Sequence, residues 1–236
     1  MKNCLSVKFT LGLAAALLVQ TALLGAANEL TPAEKSEGWK LLFDGTSLHG
    51  WRNFKKLAPP QKGWVVHGES LMHLTKGGGG DIITDSDFGD FELKWEWKVA
   101  PGANSGLKYF VTEERSSAIG HEYQLIDDTR HPDAKLAQGK RVTASFYDVL
   151  KPLPTQLKPV GDWNESEVLV RGKHVEHWLN GQKVLSYDLE SAELKAAISL
   201  SKFKNTPRFG TQMRGHILLQ DHGDEISFRN LKIREF

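Results

Sequence analysis

The segment "DFELKWEWKV", residues 90–99, alternates without a break. Phe91, Leu93, Trp95, Trp97 and Val99 fall on one side of an extended chain, and Glu92, Lys94, Glu96 and Lys98 on the other. A strand of this kind buries one face and wets the other, as antiparallel sheets do and fully covered parallel sheets do not. Further stretches read as short strands: "NSGLKYFV", "HEYQLI", "SFYDVL", "SEVLVRG", "GHILLQ" and "EISFRNLKIREF". In "KHVEHWLNGQKVLSYDL" the pair Asn180-Gly181 sits between two β-rich runs, a strong hairpin signal. Helical patterning is confined to "SAELKAAI", residues 191–198. Many short strands with few helices predict an all-β sandwich of two antiparallel sheets, a jelly roll with one curved outer face free to bind.

The first 27 residues stand apart. Lys2 and Lys8 precede an apolar run from Phe9 to Leu24 and then Gly25, Ala26 and Ala27, the pattern of a cleaved signal peptide. The expected mature chain is therefore one domain over residues 28–236, with a polar, loosely held lead-in and a core from about Gly38. Its expected location is periplasmic or secreted. The only cysteine, Cys4, lies in the removed part, which excludes disulfides, thiolate metal sites and cysteine nucleophiles. Lys and Arg total 30 against 29 Asp and Glu with no basic tract, so neither nucleic acid nor, after cleavage, a membrane is an expected partner. Oligomeric state stays open. Seven tryptophans suit either a sandwich core or sugar stacking.

Three stretches could carry chemistry. In "GHEYQLIDD", a strand would aim Tyr123 and Leu125 one way and Glu122 and Gln124 the other, with Asp127 and Asp128 following. The spacing of Glu122, Gln124 and Asp127 is similar to the catalytic strand of laminarinase-like glycosidases, but an amide holds the middle position and cannot ionise. In "GHILLQDHGDEISFRN", Ile217 and Leu219 should face the core and leave Gln220 outward, while His222 sits in a turn among acids, placed for proton transfer or metal ligation. Arg229 is expected near that turn or outward. In "GANSGLKYF", Asn104 marks a turn and Lys108 an outward strand position. Two loops are notable: "KGGGGD", residues 76–81, reads as a mobile lid or surface loop, and residues 151–163 read as a Pro-rich rim loop.

With these motifs in hand, the chain resembles the 3-keto-disaccharide hydrolase family, also described as 3-keto-glucoside 1,2-lyases and 3-keto-2-hydroxy-glucal hydratases. The resemblance runs in order through "GWKLLFDGTSLHGW", "DFELKWEWKV", "NSGLKYF", "HEYQLIDD", "SFYDVL", "GDWNESEVLVRGKHVEHWLNG" and "GHILLQDHGDEISFRNLKIRE". It implies a concanavalin-A-like jelly roll and an enzyme acting on sugars already oxidised at C3. A ketone there acidifies the C2 hydrogen, so a base can start elimination of the C1 substituent. On this resemblance Glu122 or His222 is the base and the other assists the leaving group. Lys108, or a divalent cation, polarises the C3 carbonyl. Asn104, Gln124, Gln220, Arg229 and Tyr147 hold sugar hydroxyls, and Asp127 orients a partner or binds metal. The alternatives are a carbohydrate-binding module presenting Trp51, Trp64 or Trp163, and a conventional glycoside hydrolase.

Overall fold

The computed structural model describes residues 26–154 and 156–236. The expected signal peptide lies almost wholly outside the described residues. After a short helix, α1 (Pro32–Ser36), come β1 (Lys40–Leu41), β2 (Trp51–Asn53), β3 (Trp64–His67), β4 (Ser70–His73), β5 (Ile82–Phe88), β6 (Phe91–Val99), β7 (Asn104–Val111) and β8 (His121–Ile126). Next are β9 (Asn164–Arg171), β10 (His174–Leu179), β11 (Gln182–Asp188), helix α2 (Ala192–Ser199), β12 (Gly215–Leu219) and β13 (Ile226–Glu235). They form two antiparallel sheets, as expected. The larger runs β11-β10-β9-β6-β13-β4-β3 with β1 added against β13, and the smaller runs β2-β5-β12-β7-β8.

The alternation in β6 does what its pattern demands. Phe91, Leu93, Trp95 and Trp97 are each at most 1% exposed and pack between the sheets against Leu107, Tyr109, Tyr123, Leu125, Ile217 and Leu219 of the smaller sheet. Trp95 meets Tyr123 edge-on at 5.0 Å between ring centres. At roughly 25 cal/mol per Å² over 150–250 Å² per ring, each tryptophan contributes up to about 4–6 kcal/mol. Trp97 Nε1 donates to Ser166 Oγ at 2.8 Å and Tyr123 OH donates to the Trp178 carbonyl at 3.0 Å, whereas the buried Trp95 Nε1 has no partner. Tyr109 OH links His177 Nε2 (2.8 Å) to Tyr187 OH (2.6 Å), which in turn reaches His121 Nδ1 (2.8 Å).

The Asn180-Gly181 hairpin joins β10 to β11, and α2 begins at Ser191, whose hydroxyl accepts from Leu194 N. Two expectations change and a third narrows. "SFYDVL" is not a ladder strand, because Ala144 and Asp148 are left-handed (φ 65° and 64°) and Phe146 makes only isolated bridges to Tyr123 and Leu150. It lies as an irregular edge along β8, with Tyr147 N donating to Glu122 O. The lead-in is not loose: Asn28 is buried, and its Oδ1 and N bond Asn230 N and Oδ1 across the sequence. Of the two readings of the glycine run, the structure fits the surface loop rather than the lid. Gly79 O accepts from Asn53 Nδ2, Gly80 O accepts from Trp64 Nε1, and a Cβ on Gly63 would stand 1.5 Å from Gly78 O.

Candidate active site

Register builds the site. In the smaller sheet Lys108 pairs with Glu122 and Gly106 with Gln124, while Leu218 pairs with Lys108 and Gln220 N donates to Gly106 O. On the face turned from the core this lays Leu218, Lys108 and Glu122 in one row and Gln220, Gly106 and Gln124 in the next. Gly106, having no side chain, opens the middle of the second row. Around it stand Ile119 and Gly120 ahead of β8, Tyr147 from the irregular edge, Lys202, Phe203 and Thr206 after α2, and Asn104 and His222 at one end. They enclose a cavity of about 350 Å³.

At its floor Lys108 Nζ lies 3.8 Å from Glu122 Oε2, both side chains largely covered. Burial pushes the Glu122 carboxyl above the usual glutamate range, against the pull of Lys108 and Lys202. Lys202 is held below the usual lysine range by the protein packed around its head group, with Glu122 opposing, and its Nζ rests 4.1 Å above the Tyr147 ring. Asp81, one residue before β5, is likewise raised by burial, while Lys108 pulls it down.

Amide orientation fixes the proton pattern. A carbonyl oxygen cannot face Ser105 O at 2.8 Å, so Gln124 turns its NH₂ there, where it also donates to Glu122 Oε1 at 3.3 Å. The Gln124 oxygen then faces Asn104 at 3.2 Å and requires the NH₂ of that amide. Asn104 consequently offers its oxygen to His222 Nε2, 3.5 Å away, and His222 carries its proton on that nitrogen. Glu122, Gln124, Asn104 and His222 thus form one directional chain. Gln220 Oε1 is buried without a partner and is free for a hydroxyl donor.

Of the residues singled out in the sequence, Asn104, Lys108, Glu122, Gln124, Tyr147, Gln220 and His222 line this cavity. Two do not. Arg229 sits on β13 of the other sheet, where it pairs with Glu96 at 2.7 Å and covers the Trp163 ring. The turn after Gln220 is a crossover between sheets rather than a corner within one. Asp127 accepts from Thr129 N, Thr129 Oγ1 and Arg130 N with one oxygen and from Gly102 N with the other. Burial would raise it, but these bonds hold it near 2, a fixed anion tying two loops. Tyr147 lends its ring, since its hydroxyl donates to Asp133 Oδ2 at 2.7 Å. The rim loop lines a separate hollow beside Trp97 and Asp128. Lys202 carried no pattern that would have marked it in the sequence.

His131, His222 and Asp224 bring one ligand atom each to within 4.8 Å of one another. Asp133 N, however, donates to His131 Nδ1, which leaves the proton on the other nitrogen. As they stand the three offer two free ligands, fewer than divalent sites of this kind take from protein.

The molecule is thus a two-sheet β-sandwich with a polar pocket on the outer face of its smaller sheet. The chain belongs to the 3-keto-alpha-glucoside-1,2-lyase-like domain family, whose pattern matches residues 38–234. It is 33% identical to a 3-keto-disaccharide hydrolase of Bacteroides thetaiotaomicron, over 84% of this chain and 79% of that one. A solved structure from Parabacteroides distasonis, of a candidate glycosyl hydrolase, superposes with a TM-score of 0.81 at 34% identity, covering 89% of this chain and 99% of the other. A second from the same organism gives 0.63 at 25% identity, covering 84% and 99%.

Proposed function

We propose that this protein cleaves glycosides already oxidised to a ketone at C3, by proton abstraction at C2 and elimination at C1, followed by addition of water. The observation that carries this reading is that Glu122 is the one carboxylate among the described residues lining the cavity, paired with a lysine. Conventional glycoside hydrolysis takes two carboxyls facing each other across the bond. Elimination beside a ketone takes one base, one cation at the carbonyl oxygen and one proton donor.

Glu122 removes the C2 proton, and its raised basicity suits that task. The C2–H electrons form the C2–C1 double bond, and the C1–O pair leaves with the aglycone. Lys108, assisted by Lys202 at the pocket wall, stabilises the charge that develops on the C3 oxygen. In its imidazolium form, with the Nε2–H held by Asn104, His222 gives the proton of its other nitrogen to the departing oxygen and is left as the neutral ring. The neutral ring then takes a proton from the water that adds at C1, and C2 regains a proton from Glu122. Gln124 and Gln220 hold hydroxyls. A binding module is disfavoured because Trp51 and Trp64 are buried and Trp163 is covered by Arg229 and Lys98. This work takes place outside the cytoplasm after loss of residues 1–27, a reading carried by the leader pattern alone.

The deciding assay offers a 3-keto-glucoside and its unoxidised counterpart to the protein and to Glu122→Gln, with and without chelator. Expected are release of aglycone from the keto sugar alone, a loss of at least about 100-fold in Glu122→Gln, and no effect of chelator. Cleavage of the plain glucoside, or full activity of a folded Glu122→Gln, overturns the assignment.

A further inference from the structure

A second hollow of about 440 Å³ adjoins the candidate active site and shares Ile119 and Thr206 with it as a common wall. Its other sides come from the loop after β7 (Glu114, Arg115, Ser116) and the segment after α2 (Asn205, Arg208). Arg115 ties the two together: Nη1 donates to Ile119 O at 3.1 Å and Nη2 to Pro207 O at 3.0 Å. Both partners are neutral carbonyls, so they satisfy its N–H groups without cancelling its charge. Arg208 reaches Glu114 at 3.5 Å, but those side chains are 67% and 76% exposed, and such a pair is weak and screened. Two guanidinium groups therefore face this hollow against one loosely held carboxylate.

We propose that this hollow is the leaving-group subsite and that it takes a hydroxylated leaving group bearing a carboxylate, such as an acidic sugar. The inference rests on the 3-keto-glycoside reading. A sugar ring placed over Lys108 and Glu122 fills the first cavity, and its C1 substituent must extend past a wall. The Ile119–Thr206 wall opens into a space of disaccharide-partner size, lined with hydroxyl and amide groups and carrying excess positive charge. Guanidinium groups recognise carboxylates through paired N–H donors. The groove on the other side of the same loop, between Lys56 and Asp81, has no such excess.

Three 3-keto-glucosides test this: one with methanol as leaving group, one with glucose and one with glucuronate. The protein as it stands is expected to cleave all three. The kcat/KM for the glucuronate compound should exceed that for the glucose compound by about tenfold, the worth of one charge-assisted hydrogen bond. Arg208→Gln should bring this ratio close to one, as should salt at about 0.5 M, while Lys56→Gln preserves it. Equal rates on glucose and glucuronate with the methyl compound still cleaved overturn the subsite alone. A ratio that survives Arg208→Gln but falls in Lys56→Gln moves the leaving group to the other groove and also overturns it. If no compound is cleaved, it is the 3-keto-glycoside reading that fails.

Discussion

Gly106 lies at the middle of the pocket floor, and adding one methyl group there tests how closely the floor is built. Its backbone is ordinary extended chain, so alanine brings no left-handed strain, and in a strand it should change stability by no more than about 1 kcal/mol. The new Cβ would stand 2.5 Å from Glu122 Oε1 and 3.0 Å from both Cγ and Cδ. Ordinary contact begins at 3.4 Å, so the carboxylate must retreat by about 0.9 Å. It cannot retreat freely, because Lys108 and the Gln124 NH₂ bracket it. Displacement of a reacting group by about 1 Å costs on the order of 100-fold in rate. Gly106→Ala is therefore expected to keep its melting temperature to within a few degrees and to lose about 100-fold in kcat on a 3-keto-glucoside, with a smaller change in KM. A folded Gly106→Ala with full kcat would show that the position of Glu122 does not govern the reaction.

Two further expectations concern pH. Because burial raises the Glu122 carboxyl, the acid limb of the kcat/KM profile should lie above the usual glutamate range near 4.3. A limb at or below that range would take Glu122 out of the base role. Inside the core, burial holds His177 at about 4 and His121 at about 3. Their native values lie below the unfolded value of about 6.5, so their contribution is complete above that pH and is lost on acidification toward the native values. Between pH 6.5 and 5.5 each should cost about 1 kcal/mol, read as a falling urea midpoint. His121→Phe, stacked like the native ring on Phe146, should lose its share of the slope, and an unchanged slope refutes the linkage.

What the sequence made legible and what it hid divide along one physical line. Parity within a strand is local, so β6 could be read from its own letters, and Glu122 and Gln124 could be placed on one face before any partner was known. Gln220 and Lys108 followed from the same rule and meet them through register. Arg229 failed because parity says nothing about which sheet a strand joins, and the chain from Gln220 to Ile226 changes sheets. Asp127 failed because it lies one residue past the end of β8, where its oxygens find backbone N–H groups of the turn sooner than any pocket. Lys202 was invisible for the opposite reason. It belongs to an irregular segment whose course is set only by packing, through Phe203 against Phe209 and the bond from Lys202 N to Asp148. The flat sheet supplies reagents that a periodic pattern can announce. Much of the wall that makes those reagents a pocket comes from the aperiodic segments at residues 114–120 and 201–212. Substrate choice within this family should therefore change through those two segments while the Lys108–Glu122 floor stays as it is.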